Sequence, residues 1–216
     1  MTKHAGPATV IPASVPAPST VATAVVPSVK VYAGPATTTK PVLTLSNPNN
    51  LGQPLVFLVD KSLGTWLQVY LPHRPNESTG WIPAGDVTLA SDNVTVLVQL
   101  SQHQVTVMRN GSTVDTIPVA VGDSSGPTPT GNFYVTEVIK VPANQPFFGP
   151  YAFGLSAFSN VYHSFDGGPG QTAMHGTDQP SLIGQNVSHG CIRMSNASAT
   201  RMANEVPLGT PVDITA

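Results

Sequence analysis

One cysteine among 216 residues excludes an intramolecular disulfide. Cys191, His175 and His189 would supply three zinc ligands. No C-x-x-C or H-E-x-x-H spacing supports that reading, and no metal or cofactor is expected. Charge is scarce: charged residues make up 9% of the chain, with Lys+Arg 9 against Asp+Glu 11 and a formal net charge of −2. There is no basic run, so no nucleic-acid partner is expected. No apolar run is long enough for a membrane helix, and no membrane span is expected in this chain. No apolar segment follows Met1 and Lys3, which speaks against a signal peptide there.

What is present favours short strands and turns. Aromatics are only 6%, whereas Gly (19) and Pro (22) are abundant, and the 40% apolar fraction suffices for a core. Length allows one or two domains. Residues 1–29 are rich in Ala, Pro, Ser, Thr and Val, and read as a low-complexity linker. Such a segment would tether the folded part to something upstream, such as an export signal or anchor.

Residues 30–90 predict a small all-β domain. Short strands are expected around Val29–Tyr32, Leu43–Leu45, Leu55–Val59, Trp66–Tyr70 and Gly80–Ile82, with turn residues between them. The segments Trp66-Leu67-Gln68-Val69-Tyr70 and Gly80-Trp81-Ile82 resemble bacterial SH3-like domains. That resemblance implies a small barrel that binds a wall polymer or positions a catalytic domain. Trp66 and Trp81 are read as core residues rather than as a binding surface.

The remainder, 91–216, continues in β. Val94, Val96, Val98 and Leu100 alternate with Thr95, Leu97 and Gln99, and Val105 and Val107 open the next strand. Asn110-Gly111 signals a type I′ hairpin leading into Thr113–Val121. Another strand is predicted over Asn132–Val141. Residues 142–170, with Phe147-Phe148 and Gly167-Gly168-Pro169-Gly170, read as a long loop forming a lid or cleft wall. One helix is expected at Ala197–Glu205 with Asn196 as its N-cap, and a last strand at Pro211–Ile214.

The chemistry concentrates between Met174 and Met194. This stretch holds the lone thiol, Cys191, with His175 sixteen positions before it, His189 two before it and Arg193 two after it. A thiol nucleophile needs a base, donors for an oxyanion and charge to position its substrate. A neighbouring imidazole would lower the thiol pKa, and spacing leaves either histidine as the base. Gly190 has no side chain, so the backbone can approach a substrate closely, and the N–H groups of Gly190 and Cys191 are candidate oxyanion donors. Arg193 suits a carboxylate, of a ligand or of an acidic residue in a structural ion pair. The plainer reading makes Cys191 a buried small hydrophobe and the histidines structural. An unpaired thiol is a liability in an oxidising compartment, which favours an indispensable nucleophile.

His175, twelve residues, then Ser188-His189-Gly190-Cys191-Ile192-Arg193 resembles the signature of the L,D-transpeptidases, the YkuD-like family. Pro127-Thr128-Pro129-Thr130-Gly131-Asn132-Phe133 is similar to a second family segment, and the likeness covers about residues 92–216. Many members have Asn where this chain has Arg193. The resemblance implies a mainly β chain: an SH3-like barrel, then a β-sandwich-like catalytic domain with one clear helix. It also implies a location in the cell wall or periplasm. By the same resemblance Cys191 is the nucleophile and His175 its base, oriented by the Gly176 carbonyl, while Ser188, His189 and Gly190 shape the oxyanion loop. Cys191 would attack the carbonyl of the third residue of a peptidoglycan tetrapeptide stem and release D-Ala. The thioester would pass to the side-chain amine of a second stem, and carbapenems would trap the same thiol. Two alternatives stand beside this: a carboxypeptidase or hydrolase using water, and a non-catalytic wall-binding protein.

Overall fold

The computed structural model describes residues 17–164 and 167–216, which are mainly β with one α-helix. The first unit contains β1 (Ser19–Ala24), β2 (Ser28–Val31), β3 (Leu43–Ser46), β4 (Val56–Leu63), β5 (Trp66–Tyr70), β6 (Thr79–Pro83) and β7 (Val87–Asp92). Five of these form a sheet in the order β6-β5-β4-β1-β7, and β2 and β3 pair as a ribbon. Alternation drives this core: Val29, Val31, Leu67, Val69 and Ile82 are buried on one face of their strands.

The linker expected over 1–29 does not extend that far. Residues 1–16 lie outside the described residues, but Ser19–Ala24 is a strand paired with β4 on one side and β7 on the other. Its Val21, Ala22 and Ala24 are buried, so tertiary pairing gives a use to a composition that looked featureless. Trp66 and Trp81 are also placed differently from the expectation. Both are half-buried outside the core, and Trp66 packs edge-on to Tyr32 at 5.4 Å.

The second unit holds β8 (Val94–Gln99), β9 (Gln104–Arg109), β10 (Ser112–Gly122), β11 (Gly131–Lys140), β12 (Tyr151–Phe158), β13 (Gln171–His175), β14 (Asn186–Ser188), β15 (Ile192–Met194), α1 (Asn196–Glu205) and β16 (Pro211–Thr215). The strand order is β14-β10-β15-β13-β12-β11-β16-β8-β9, and β9 also pairs with β10. Two long strands turn the corners. The first part of β10 pairs with β9 and its end with β15; the first part of β11 pairs with β16 and the rest with β12. The result is two sheets closed around one apolar core, which Ala199 and Met202 of α1 complete. Asn110 and Gly111 take the positive φ of 51° and 74° that the tight β9–β10 hairpin requires.

Two local expectations are corrected here. Tyr151–Phe158 lies within the stretch read as loop, yet it is an inner strand between β11 and β13. Its residues 153–158 are all buried, so no alternation marks it. The helix N-cap is Ser195, whose Oγ accepts from the Ser198 N–H at 3.1 Å; Asn196 instead accepts from the Thr177 N–H at 2.9 Å. Ser195→Ala should therefore lower stability by about 1 kcal/mol in urea unfolding with an unchanged slope. Asn196→Ala should leave the cap intact and loosen the loop after His175.

The two units are joined by buried contacts. Tyr134, fully buried, packs with Val21, Val56 and Leu58 and donates its hydroxyl to the carbonyls of Val56 (3.2 Å) and Tyr70 (3.3 Å). Arg74 donates to the carbonyls of Pro169, Ser159 and Tyr162, and Asn76 exchanges two hydrogen bonds with the Phe158 backbone.

Candidate active site

Strand register assembles the site. β13 and β15 are parallel neighbours, with Met174 opposite Ile192 and His175 opposite Arg193. Met174, Ile192 and Met194 point into the core. By alternation Ala173, His175, Cys191 and Arg193 share the other face, and all four line one cleft. The Ala173 backbone amide hydrogen-bonds the Cys191 thiol.

His175 is 1% exposed, and its Nδ1 donates to the Gly176 carbonyl at 2.6 Å. A carbonyl only accepts, so Nδ1 carries the proton and Nε2 is the basic nitrogen. Phe147 and Phe148 stand against the ring at 5.8 and 5.1 Å. The stretch read as a cleft wall does supply these two side chains, on a 3-10 turn at Pro146–Phe148.

Burial sets the electrostatics. It lowers the His175 pKa to about 4; the Gly176 carbonyl opposes this and the Arg193 charge adds to it. Burial also pushes the Cys191 thiol up, against the Ala173 amide and the Arg193 charge. The resting pair is therefore neutral thiol and neutral imidazole. The expectation that an imidazole lowers the thiol pKa does not describe this resting state, because desolvation outweighs it.

The loop before Cys191 is self-braced. The buried Ser188 Oγ donates to the Cys191 carbonyl at 2.5 Å and accepts from the Gly190 N–H at 3.1 Å. The Gly190 N–H, one of the two candidate oxyanion donors, is thus engaged inside the loop. Gly190 is needed for its φ of 118°, since a Cβ there would find ordinary van der Waals distances. His189 is exposed and stacks edge-on against Tyr162 at 5.6 Å. Hydrogen bonds from Ser125 and Gly126 hold nearby Asp123 below the usual carboxylate range, and the His189 charge contributes. Thr128 of the Pro127–Phe133 segment accepts from the Gly122 N–H through Oγ1, and the adjoining Asp123 N–H donates to the Ser188 carbonyl.

Arg193 is 8% exposed, and its guanidinium lies 4.7 Å from the centre of the Phe147 ring. Its Nε has no hydrogen-bond partner, and it joins none of the ion pairs among the described residues. The cleft measures about 610 Å³, and its far wall comes from β3 and residues 49–51 of the first unit. Among the described residues, no three His, Cys, Asp or Glu side chains gather as a metal-ligand set. No helix there is long and apolar enough to cross a membrane.

Of the residues singled out in the sequence, His175, His189, Gly190, Cys191 and Arg193 line the cleft, with Ser188 and Gly176 bracing it from behind. Glu137 and Gln171 also line it and were not anticipated. The available signal was one acid in a strand of a chain poor in charge.

A thiol, a buried imidazole with a fixed tautomer and an arginine without an ion pair among the described residues thus meet in one cleft of a closed β-sandwich. The L,D-transpeptidase catalytic-domain model (YkuD) matches residues 93–214, and the chain belongs to that family. It is 35% identical over 120 residues to YkuD of Bacillus subtilis strain 168, covering 55% of this chain and 64% of that protein. The corresponding Bacillus licheniformis protein is 31% identical over 159 residues, covering 70% and 87%. In fold the chain is similar to L,D-transpeptidase 3 of Mycobacterium tuberculosis, with a TM-score of 0.51 and 16% identity over 75% of this chain and 92% of that one.

Proposed function

We propose that the protein is a cysteine L,D-transpeptidase acting on peptidoglycan stem peptides outside the cytoplasm. The observation that carries this reading is the cleft face shared by Cys191, His175 and Arg193, with the His175 tautomer fixed by the Gly176 carbonyl. His175 Nε2 takes the thiol proton as the sulfur attacks the donor carbonyl, because the two groups are neutral at rest. The Cys191 N–H stabilises the oxyanion, since the Gly190 N–H is already bonded within the loop. The imidazolium then protonates the leaving D-Ala amine, and a thioester remains on Cys191. The side-chain amine of a second stem attacks it, His175 takes that proton, and the thiol is regenerated. No cofactor enters these steps. The first unit is read as an SH3-like barrel that walls the cleft and holds the loop bearing Tyr162.

Mass spectrometry of the protein with a tetrapeptide stem tests this. A thioester at Cys191, then a cross-linked dimer when acceptor stem is added, is the expected result. Tripeptide as the sole product would assign a hydrolase, and no thioester would overturn the proposal.

Arg193 is assigned to a donor carboxylate. Arg193→Ala should raise the donor KM about tenfold or more while kcat changes less, because positional binding is mostly shared by ground and transition states. A lower melting temperature with an unchanged KM would make the residue structural.

A further inference from the structure

Glu137 faces the same cleft without a part in the acyl transfer. A β-bulge puts it there: Val135 pairs with Leu155 and Glu137 with Gly154, leaving Thr136 as the extra residue. Alternation restarts across the bulge. Val135 and Val138 pack on the core, whereas Thr136 and Glu137 both line the cleft. The carboxyl then lies over Gly154, where a Cβ would collide with Oε2.

Glu137 is 7% exposed and joins none of the ion pairs among the described residues. Its Oε1 accepts from Asn49 Nδ2 at 2.8 Å, and its Oε2 from Gln171 Nε2 at 2.9 Å and from the Thr136 hydroxyl. A carboxylate offers about four acceptor positions, so one remains. Burial pushes its pKa up, against the hydrogen bonds from Thr136 and Gln171. A buried acid with no cation beside it among the described residues, and lining a cleft, has a ligand cation as its natural partner.

We propose that Glu137 is the subsite for the side-chain ammonium of the residue whose carbonyl Cys191 attacks, an assignment that rests on the stem-peptide reading above. The reach agrees. Glu137, Gly154 and Ala173 lie in one row across the sheet, and Cys191 stands beside Ala173. Gly154 and Cys191 are two strand spacings apart, roughly 10 Å. A diamino acid spans roughly 6–7 Å from carbonyl carbon to terminal nitrogen, and the attacking sulfur adds about 3 Å.

The test is calorimetric binding to the full chain carrying Cys191→Ala. The probes are a tetrapeptide stem with a free amine on its third side chain and the same peptide acetylated there. The free amine should bind about tenfold tighter or more. Adding Glu137→Gln should remove that preference while the acetylated peptide binds as before. A merely structural role would weaken both peptides alike; that result, a preference surviving Glu137→Gln, or no preference in the parent would each overturn the subsite. Meropenem acylation of the unmodified chain is read separately. Acylation without amine preference overturns the subsite alone. Absence of acylation together with failure to bind either peptide overturns the proposed function and the subsite with it.

Discussion

Meropenem should add one equivalent of its mass to the protein, at Cys191, and none to Cys191→Ala. The chain has no second thiol to take over. The nearest hydroxyl in the loop, Ser188, is buried and already donates to the Cys191 carbonyl. Removing a nucleophile usually removes nearly all covalent catalysis, so stem-peptide turnover should fall by about 10⁴-fold or more. Intact-mass and peptide-mapping spectra check the adduct, and an unchanged melting transition shows that the variant is folded. An adduct surviving in Cys191→Ala would place the nucleophile elsewhere.

The second large effect concerns the base. His175→Ala should slow Cys191 acylation by about 10²–10⁴-fold, the usual range for a positioned base. The pH profile separates this from a packing defect. Burial holds the His175 pKa near 4, so the ring is neutral and able to accept a proton above that value. Acylation should therefore persist well below pH 6.5 and fall only as pH drops through about 4. Without His175 that acid limb should vanish. The rate should then climb with ionisation of the thiol itself, whose pKa burial has raised. His189→Ala should keep the acid limb, because its exposed ring is packed on Tyr162. If His189→Ala loses the limb and His175→Ala keeps it, the roles are reversed.

The site was largely legible because its residue types are rare in this chain. A lone thiol, two histidines and an arginine stand out in a chain with 9% charge, although residue types alone also allowed Cys191 to be a buried small hydrophobe. Strands that are buried on one face were legible for the same kind of reason, as Val94, Val96 and Val98 show. Strands whose burial depends on distant partners were not. Ser19–Ala24 has the composition of the linker before it and becomes a strand only between β4 and β7. Tyr151–Phe158 lost its period because neighbours cover both faces. Glu137 was hidden by a bulge, which shifts register without leaving a mark in composition. The upward push on the thiol pKa was not legible, because spacing reports neighbours and says nothing about desolvation, the largest influence on Cys191.

The position of β16 bears on how the chain reaches its fold. Residues 211–215 insert between β11 and β8, so β16 is an inner strand of the second unit's sheet. Val212 and Ile214 are buried, and they pair in register with Val96 and Val98 from the start of the unit. The ring of strands cannot close from its N-terminal end onward. Until residue 215 is available, β11 and β8 present open edges, and open edges recruit other chains. Closing a loop of this length places folding in the slow class, roughly milliseconds to seconds. Assembly of the strands that carry Cys191 thus waits on residues 211–215, and the interval before they pair is when aggregation competes.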